Sequence, residues 1–178
     1  IKDERFDPIE SNFNFGLFNA NSEMIKYLST LSFIDVNYVY IKTINNKNQE
    51  ITALVHSVYI NDVDKIDFII NHPSFDKDKS NIKEAIFAAA ETNNVNIFRK
   101  LIKLSNNYIN MSNNKRNSLL SVASFKLSGA IINEILNNPQ FDSKKSQICD
   151  AFVHSYDELG NLGNNYRISA PWNKHVKK

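Results

Sequence analysis

Between residues 52 and 142 the apolar positions come in short paired blocks separated by polar joints. Leu54-Val55-His56-Ser57, Ile86-Phe87-Ala88-Ala89 and Leu120-Ser121-Val122-Ala123 are equivalent first blocks, 32 and 34 residues apart. The second blocks follow in line: Ile66, Ile69 and Ile70, then Phe98, Leu101 and Ile102, then Ile132, Ile135 and Leu136. Spacing of i, i+3 and i+4 puts each set on one face of a helix. The pattern predicts three helix pairs, near 52–61 and 63–72, 84–93 and 95–105, and 118–127 and 129–138. Asn61 and Asn93 fall at the joints, where a helix C-terminus calls for a left-handed residue. Pro73 and Pro139 follow second helices and stop them. Polar stretches at 76–83, 110–117 and 142–147 close each unit, giving a period of about 33 residues.

Weaker copies flank these units. Met24, Ile25, Leu28 and Asp35 match the second block at an offset of 41, with the extra residues in DVNYVYIKTINNKNQE. There Val36, Tyr38 and Tyr40 alternate with the other face and NNKN reads as a turn, which predicts an enlarged hairpin at 35–50. At the other end DAFVHSYDELG repeats Val-His-Ser and then dissolves into GNLGNN. The chain thus reads as one domain over 1–178: a degenerate N-terminal repeat at 13–50, repeats at 51–83, 84–117 and 118–147, a half repeat at 148–162, and an extended tail at 163–178. Atypical end copies suit a stack, because nothing covers the last one.

With these residues in view, the sequence resembles the ankyrin repeat family over roughly residues 13–159. That family's signature begins Thr-Pro-Leu-His-x-Ala. Thr52 and Leu54 match it, while Ala53, Val55 and Ser57 replace the Pro, His and Ala. Ser118, Leu120 and Ala123 match loosely, as do Ile86 and Ala89. His56 is one place from the family's His, so no role passes to it. The endings HPSFD and NPQFD are similar to the Gly-Ala-Asp turn rewritten with proline, in the style of divergent, Asn-, Lys- and Ile-rich protist ankyrin proteins such as those of trichomonads. The resemblance implies an all-α helical-repeat solenoid, its helix-turn-helix units joined by polar finger loops.

Composition narrows the picture. Glycine occurs only 4 times, so asparagine, which tolerates the left-handed region, is expected to serve at the turns. A net charge of +2 is too small to argue for a nucleic-acid groove or an anionic membrane. No apolar run approaches the roughly 18 residues of a spanning helix. The start, IKDERFDPIE, lacks a signal-peptide pattern, and its missing initiator Met is expected of a piece of a longer chain. The single cysteine, Cys149, fits a reducing, cytoplasmic setting and reads as a structural residue.

Chemistry is hard to find. GNLGNN at 160–165 only imitates a phosphate loop, with no strand before it. His56, His72, His154 and His175 show no metal-ligand spacing, and His56 and His154 are equivalent places in two repeats. The acids in DVDKID and SYDELG read as solvated first-turn residues. Asn110-Met111-Ser112 fits a glycan acceptor triplet, taken as chance without a signal peptide. No enzyme activity, cofactor or metal is expected. Lys77, Lys79, Lys115, Arg116, Lys144 and Lys145 could form a basic rim along the loop tips.

The ankyrin resemblance also implies where a partner would bind. The residues following the small positions of each first helix face the concave side in that family. Carried over unit by unit, they are Tyr59 and Ile60, Glu91 and Thr92, and Phe125 and Lys126, with Phe18 and Asp157 at the degenerate ends. Trp172, after Pro171, is a further anchor in the tail. The expected function is a protein-interaction module or scaffold that binds a protein partner on this face. One alternative is a structural component packed permanently into a larger, cytoskeletal assembly. A third reading is a nucleic-acid binder using the loop lysines.

Overall fold

The computed structural model describes residues 13–31, 33–44, 47–113 and 117–146. A 3₁₀ turn at Phe13–Phe15 leads into α1 (Gly16–Asn19) and α2 (Ser22–Leu28). Strands β1 (Val39–Ile44) and β2 (Lys47–Thr52) follow, then α3 (Ala53–Tyr59) and α4 (Val63–Asn71). Next come α5 (Ile82–Glu91), α6 (Val95–Leu104), a 3₁₀ turn at Asn106–Asn110, α7 (Leu119–Phe125) and α8 (Gly129–Leu136). The helices α1, α3, α5 and α7 form one row, each packed on the next, while α4 and α6 back onto α3 and α5, and α8 onto α7.

The all-α helical-repeat solenoid of ankyrin type is overturned. The molecule is mixed, because β1 and β2 form an antiparallel two-stranded sheet in register from Val39↔Thr52 to Ile44↔Lys47. The cause lies in Val39, Tyr40 and Ile41, whose branched and aromatic side chains suit a pleated surface. Tyr38, Tyr40 and Ile51 pack against the core, whereas Val39 and Ile41 point outward. The hairpin also runs further than 35–50: β2 ends at Thr52, whose hydroxyl then caps α3 by accepting from Val55 N. Nor are the units alike. The first carries the sheet, the second ends in a 3₁₀ turn, and the third opens on a lone bridge between Ser112 and Ser118.

Within that mixed fold the helix pairs lie within a few residues of the predicted spans, α5 starting earliest at Ile82. Asparagine sets many of the boundaries. Asn21, Asn81 and Asn94 cap α2, α5 and α6 by accepting from the backbone N–H three residues on. Asn61 and Asn93 hold the joints with φ of 57° and 54°, as expected, and Asn81 adopts 53°. At the third joint the left-handed residue is Leu127, φ 52°, with no short polar side chain to favour it. His72 ends α4 in an extended conformation, as a residue before Pro73 must.

The core is continuous along the row. Ala85, Ala88, Ala89 and Ala90 of α5 are all buried, and their small size lets α3 and α7 approach from opposite sides. Phe87, Phe98, Leu54, Ile66, Ile86 and Leu101 fill the space between. Burying each such side chain contributes about 1.5–3 kcal/mol. Two polar clamps pin the connecting loops. Asn37 Oδ1 accepts from Asp76 N at 2.9 Å and from Ser80 Oγ at 2.7 Å, while its amide donates to Ser74 O. Asn110 repeats this on Asp142 N at 2.8 Å, Ser146 Oγ at 2.9 Å and Gln140 O at 2.6 Å. Thr52 and Ser118 close the two networks, each donating to the carbonyl of the clamp serine, Ser80 or Ser146.

Candidate functional site

The six candidate residues fall at one repeated place. Tyr59, Glu91 and Phe125 are the last residues of α3, α5 and α7, and Ile60, Thr92 and Lys126 are their C-caps. All three caps have φ between −89° and −82° with ψ near zero, and the left-handed residue comes next. This common turn aligns the side chains of successive helices in two rows.

Large apolar groups are exposed there. Tyr59 is 47% exposed, Ile60 50% and Phe125 42%. The Tyr59 hydroxyl donates to Glu91 Oε2 at 3.0 Å, joining α3 to α5 across the face. Burial of the phenol, followed by the nearby Glu91 and Glu84 carboxylates and the bond to Glu91, holds the Tyr59 pKa well above its ordinary value of 10.0. The hydroxyl therefore stays protonated and keeps donating. Lys126 Nζ lies 5.4 Å from the centroid of the Phe125 ring, over its face. Thr92 is turned inward to its own helix, donating to Ala88 O at 2.9 Å.

Between α5 and α7 a cleft of about 340 Å³ opens on this face. Glu91 stands on one side and Phe125 with Lys126 on the other. Asn113 and Asn117 wall it, and the buried Ser121 and Val122 form its base. A wider groove of about 590 Å³ lies near the ends of α2 and α4, lined by none of the six residues above. Its polar groups are engaged locally: His72 Nδ1 with Ser74 Oγ at 2.7 Å, Thr30 Oγ1 with Tyr27 O, Ser29 Oγ with Lys26 O.

Phe18 does not belong to the exposed row. It is 5% exposed, its ring packed against Tyr38, Tyr40 and His56, because the degenerate first unit turns its helix into the hairpin. Asp157 and Trp172 lie outside the described residues, as do His154, His175, Cys149 and the expected half repeat and tail. Of the rim lysines, Lys77 donates to Leu104 O and Lys145 lies 3.9 Å from Asp142; Lys115 and Arg116 are outside the described residues.

Sequence reasoning missed two features. Lys65 is 1% exposed, its Nζ donating to Phe18 O at 3.1 Å and lying 3.4 Å from Asp62 Oδ2. Its place in DVDKID, among acids that read as solvated, gives no sign of burial. The loop clamps were also missed, although the shared Asp-x-x-x-Ser spacing of Asp76/Ser80 and Asp142/Ser146 was there to find.

No family model matches the sequence, and comparisons with curated proteins and with solved structures find no match. The ankyrin resemblance thus stands on the period and pattern of the sequence. Among the described residues, no helix is long and apolar enough to cross a membrane.

Proposed function

We propose that the chain is a protein-interaction module, binding a protein partner across the row of Tyr59, Ile60, Glu91, Thr92, Phe125 and Lys126. One observation carries this reading: three large apolar side chains stand half exposed at equivalent helix ends, where water has no use for them. The core does not need them, since Leu54, Ile86 and Leu120 already fill the inward positions of the same helices. The bond from Tyr59 to Glu91 and the stacking of Lys126 on Phe125 restrain these side chains beforehand, which lowers the ordering cost of binding. Aromatic anchors of this kind commonly contribute about 2 kcal/mol or more at interface centres.

The same proposal relates the protein to the ankyrin repeat family through the 32- and 34-residue spacing. It places the protein in a reducing cytoplasm through its single cysteine. A photo-crosslinking residue in place of Thr92 would identify the partner, and binding would then be measured with both proteins purified. Tyr59→Ala with Phe125→Ala is expected to abolish that binding while circular dichroism and melting stay nearly unchanged. Undiminished binding by the double variant would sink the reading.

A further inference from the structure

The row Tyr59, Glu91, Phe125 presents apolar, anionic and apolar groups on three successive helices. Neighbouring packed helices lie about 8–10 Å apart. An extended chain advances about 3.3 Å per residue. Roughly three residues of an extended segment therefore cover the step from one helix to the next.

We propose that this face takes an extended segment of the partner protein in which a basic residue, arginine above lysine, is flanked three residues away on each side by an apolar residue. The inference rests on the interaction reading above and gives it a ligand chemistry. Charge complementarity selects the central residue. The Glu91 carboxylate lines the cleft, and Tyr59 uses only its Oε2, while a carboxylate offers about four lone-pair sites. Glu84 adds a second negative charge near the Tyr59 hydroxyl. Arginine is preferred because its planar fork matches a carboxylate. Asn117 and Ser121 supply neutral polar groups at the cleft's wall and base. The flanking apolar residues meet Tyr59 with Ile60 at one end and Phe125 at the other. Lys126 makes the Phe125 end cationic, so the segment runs with an acidic residue beyond that end.

The test uses the full chain and fluorescein-labelled heptapeptides read by anisotropy. One peptide carries Leu, Arg and Phe at its first, central and last positions, with Ser and Gly between; its counterparts carry Gln or Glu at the centre. The Arg peptide should bind about tenfold more tightly than the Gln peptide, the worth of one charge-assisted hydrogen bond. Glu91→Gln should make the two equal, and Glu91→Lys should shift preference to the Glu-centred peptide. Both variants would be checked for native circular dichroism first. Equal binding of the Arg and Gln peptides, lost in the Tyr59→Ala/Phe125→Ala variant, overturns the basic-residue inference and leaves the face intact. Binding that survives the double variant overturns the inference and the interaction reading together. Binding of none of the peptides overturns the inference.

Discussion

Ser128 Oγ donates to Asn93 Oδ1, so the cap residue of one outer helix is tied to the left-handed joint of the preceding pair. Asn94 does the same to Asn61 one unit earlier. The joints form a hydrogen-bonded ladder, and among the described residues only the joint at Leu127 lacks an asparagine.

Replacing Leu127 should therefore stabilise the protein. A left-handed conformation costs an ordinary L-residue about 1–2 kcal/mol. Leu127 is 43% exposed, so it gives up only part of the roughly 1.5–3 kcal/mol of a fully buried leucine. Leu127→Asn is expected to raise stability by about 0.5 kcal/mol, measured as a higher urea midpoint with an unchanged slope. A lower midpoint would mean that the leucine's packing outweighs the strain.

Tyr59 should ionise above the ordinary tyrosine range. Its folded pKa is raised, so the stabilising contribution of the neutral phenol is fully present below pH 10.0 and fades only above it. The alkaline absorbance difference between the native chain and Tyr59→Phe should titrate above the ordinary tyrosine range. A difference titrating near the ordinary value would show that the bond to Glu91 is not held in solution.

The two loop clamps should behave as independent units. Asn110→Ala strands Asp142 N and Ser146 Oγ, and should cost about 1–3 kcal/mol by chemical denaturation. Asn37→Ala should cost a similar amount on the other loop, and the two losses should add, since the clamps share no partner. Strong non-additivity would mean the loops report to each other. Asp76 provides a pH handle on the first clamp. The Lys79 backbone N–H, with that of Asp78, holds its carboxyl below the usual range. Its contribution is therefore present above the unfolded value of about 3.9 and lost as pH falls through the lower folded value. Asp76→Asn should remove that part of the acid dependence.

Ala89→Leu tests the narrow spacing of α3, α5 and α7. Ala89 is fully buried, so the larger side chain should overpack the row and cost about 1–3 kcal/mol. A melting curve unchanged from the native one would show that the helices can part at no cost.

What could be read in advance was whatever local periodicity controls. The i, i+3, i+4 blocks located α3 to α8, and the asparagine joints followed from backbone sterics at residues 61 and 93. The equivalence of Tyr59, Glu91 and Phe125 was legible for the same reason, as one position in a repeating turn. Long-range packing was not. Phe18 is buried because the hairpin folds over it, and Lys65 because the α1 carbonyl end reaches back 47 residues to meet it. Neither contact leaves a periodic trace. The fold class failed for a related reason: the hairpin was read as an ornament on helices, whereas β2 runs straight into the cap of α3.

Asn110 bears on one last matter. Its side-chain nitrogen is the atom to which a sugar would be attached in the triplet Asn110-Met111-Ser112, and that nitrogen is already committed to Gln140 O. An amide nitrogen carries two hydrogens, and a sugar would replace the one that is not given to Gln140. A glycosylated asparagine would keep both groups the clamp uses, one amide N–H and the carbonyl oxygen, so residues 140–146 are held by the side chain and not by its second, unused amide hydrogen.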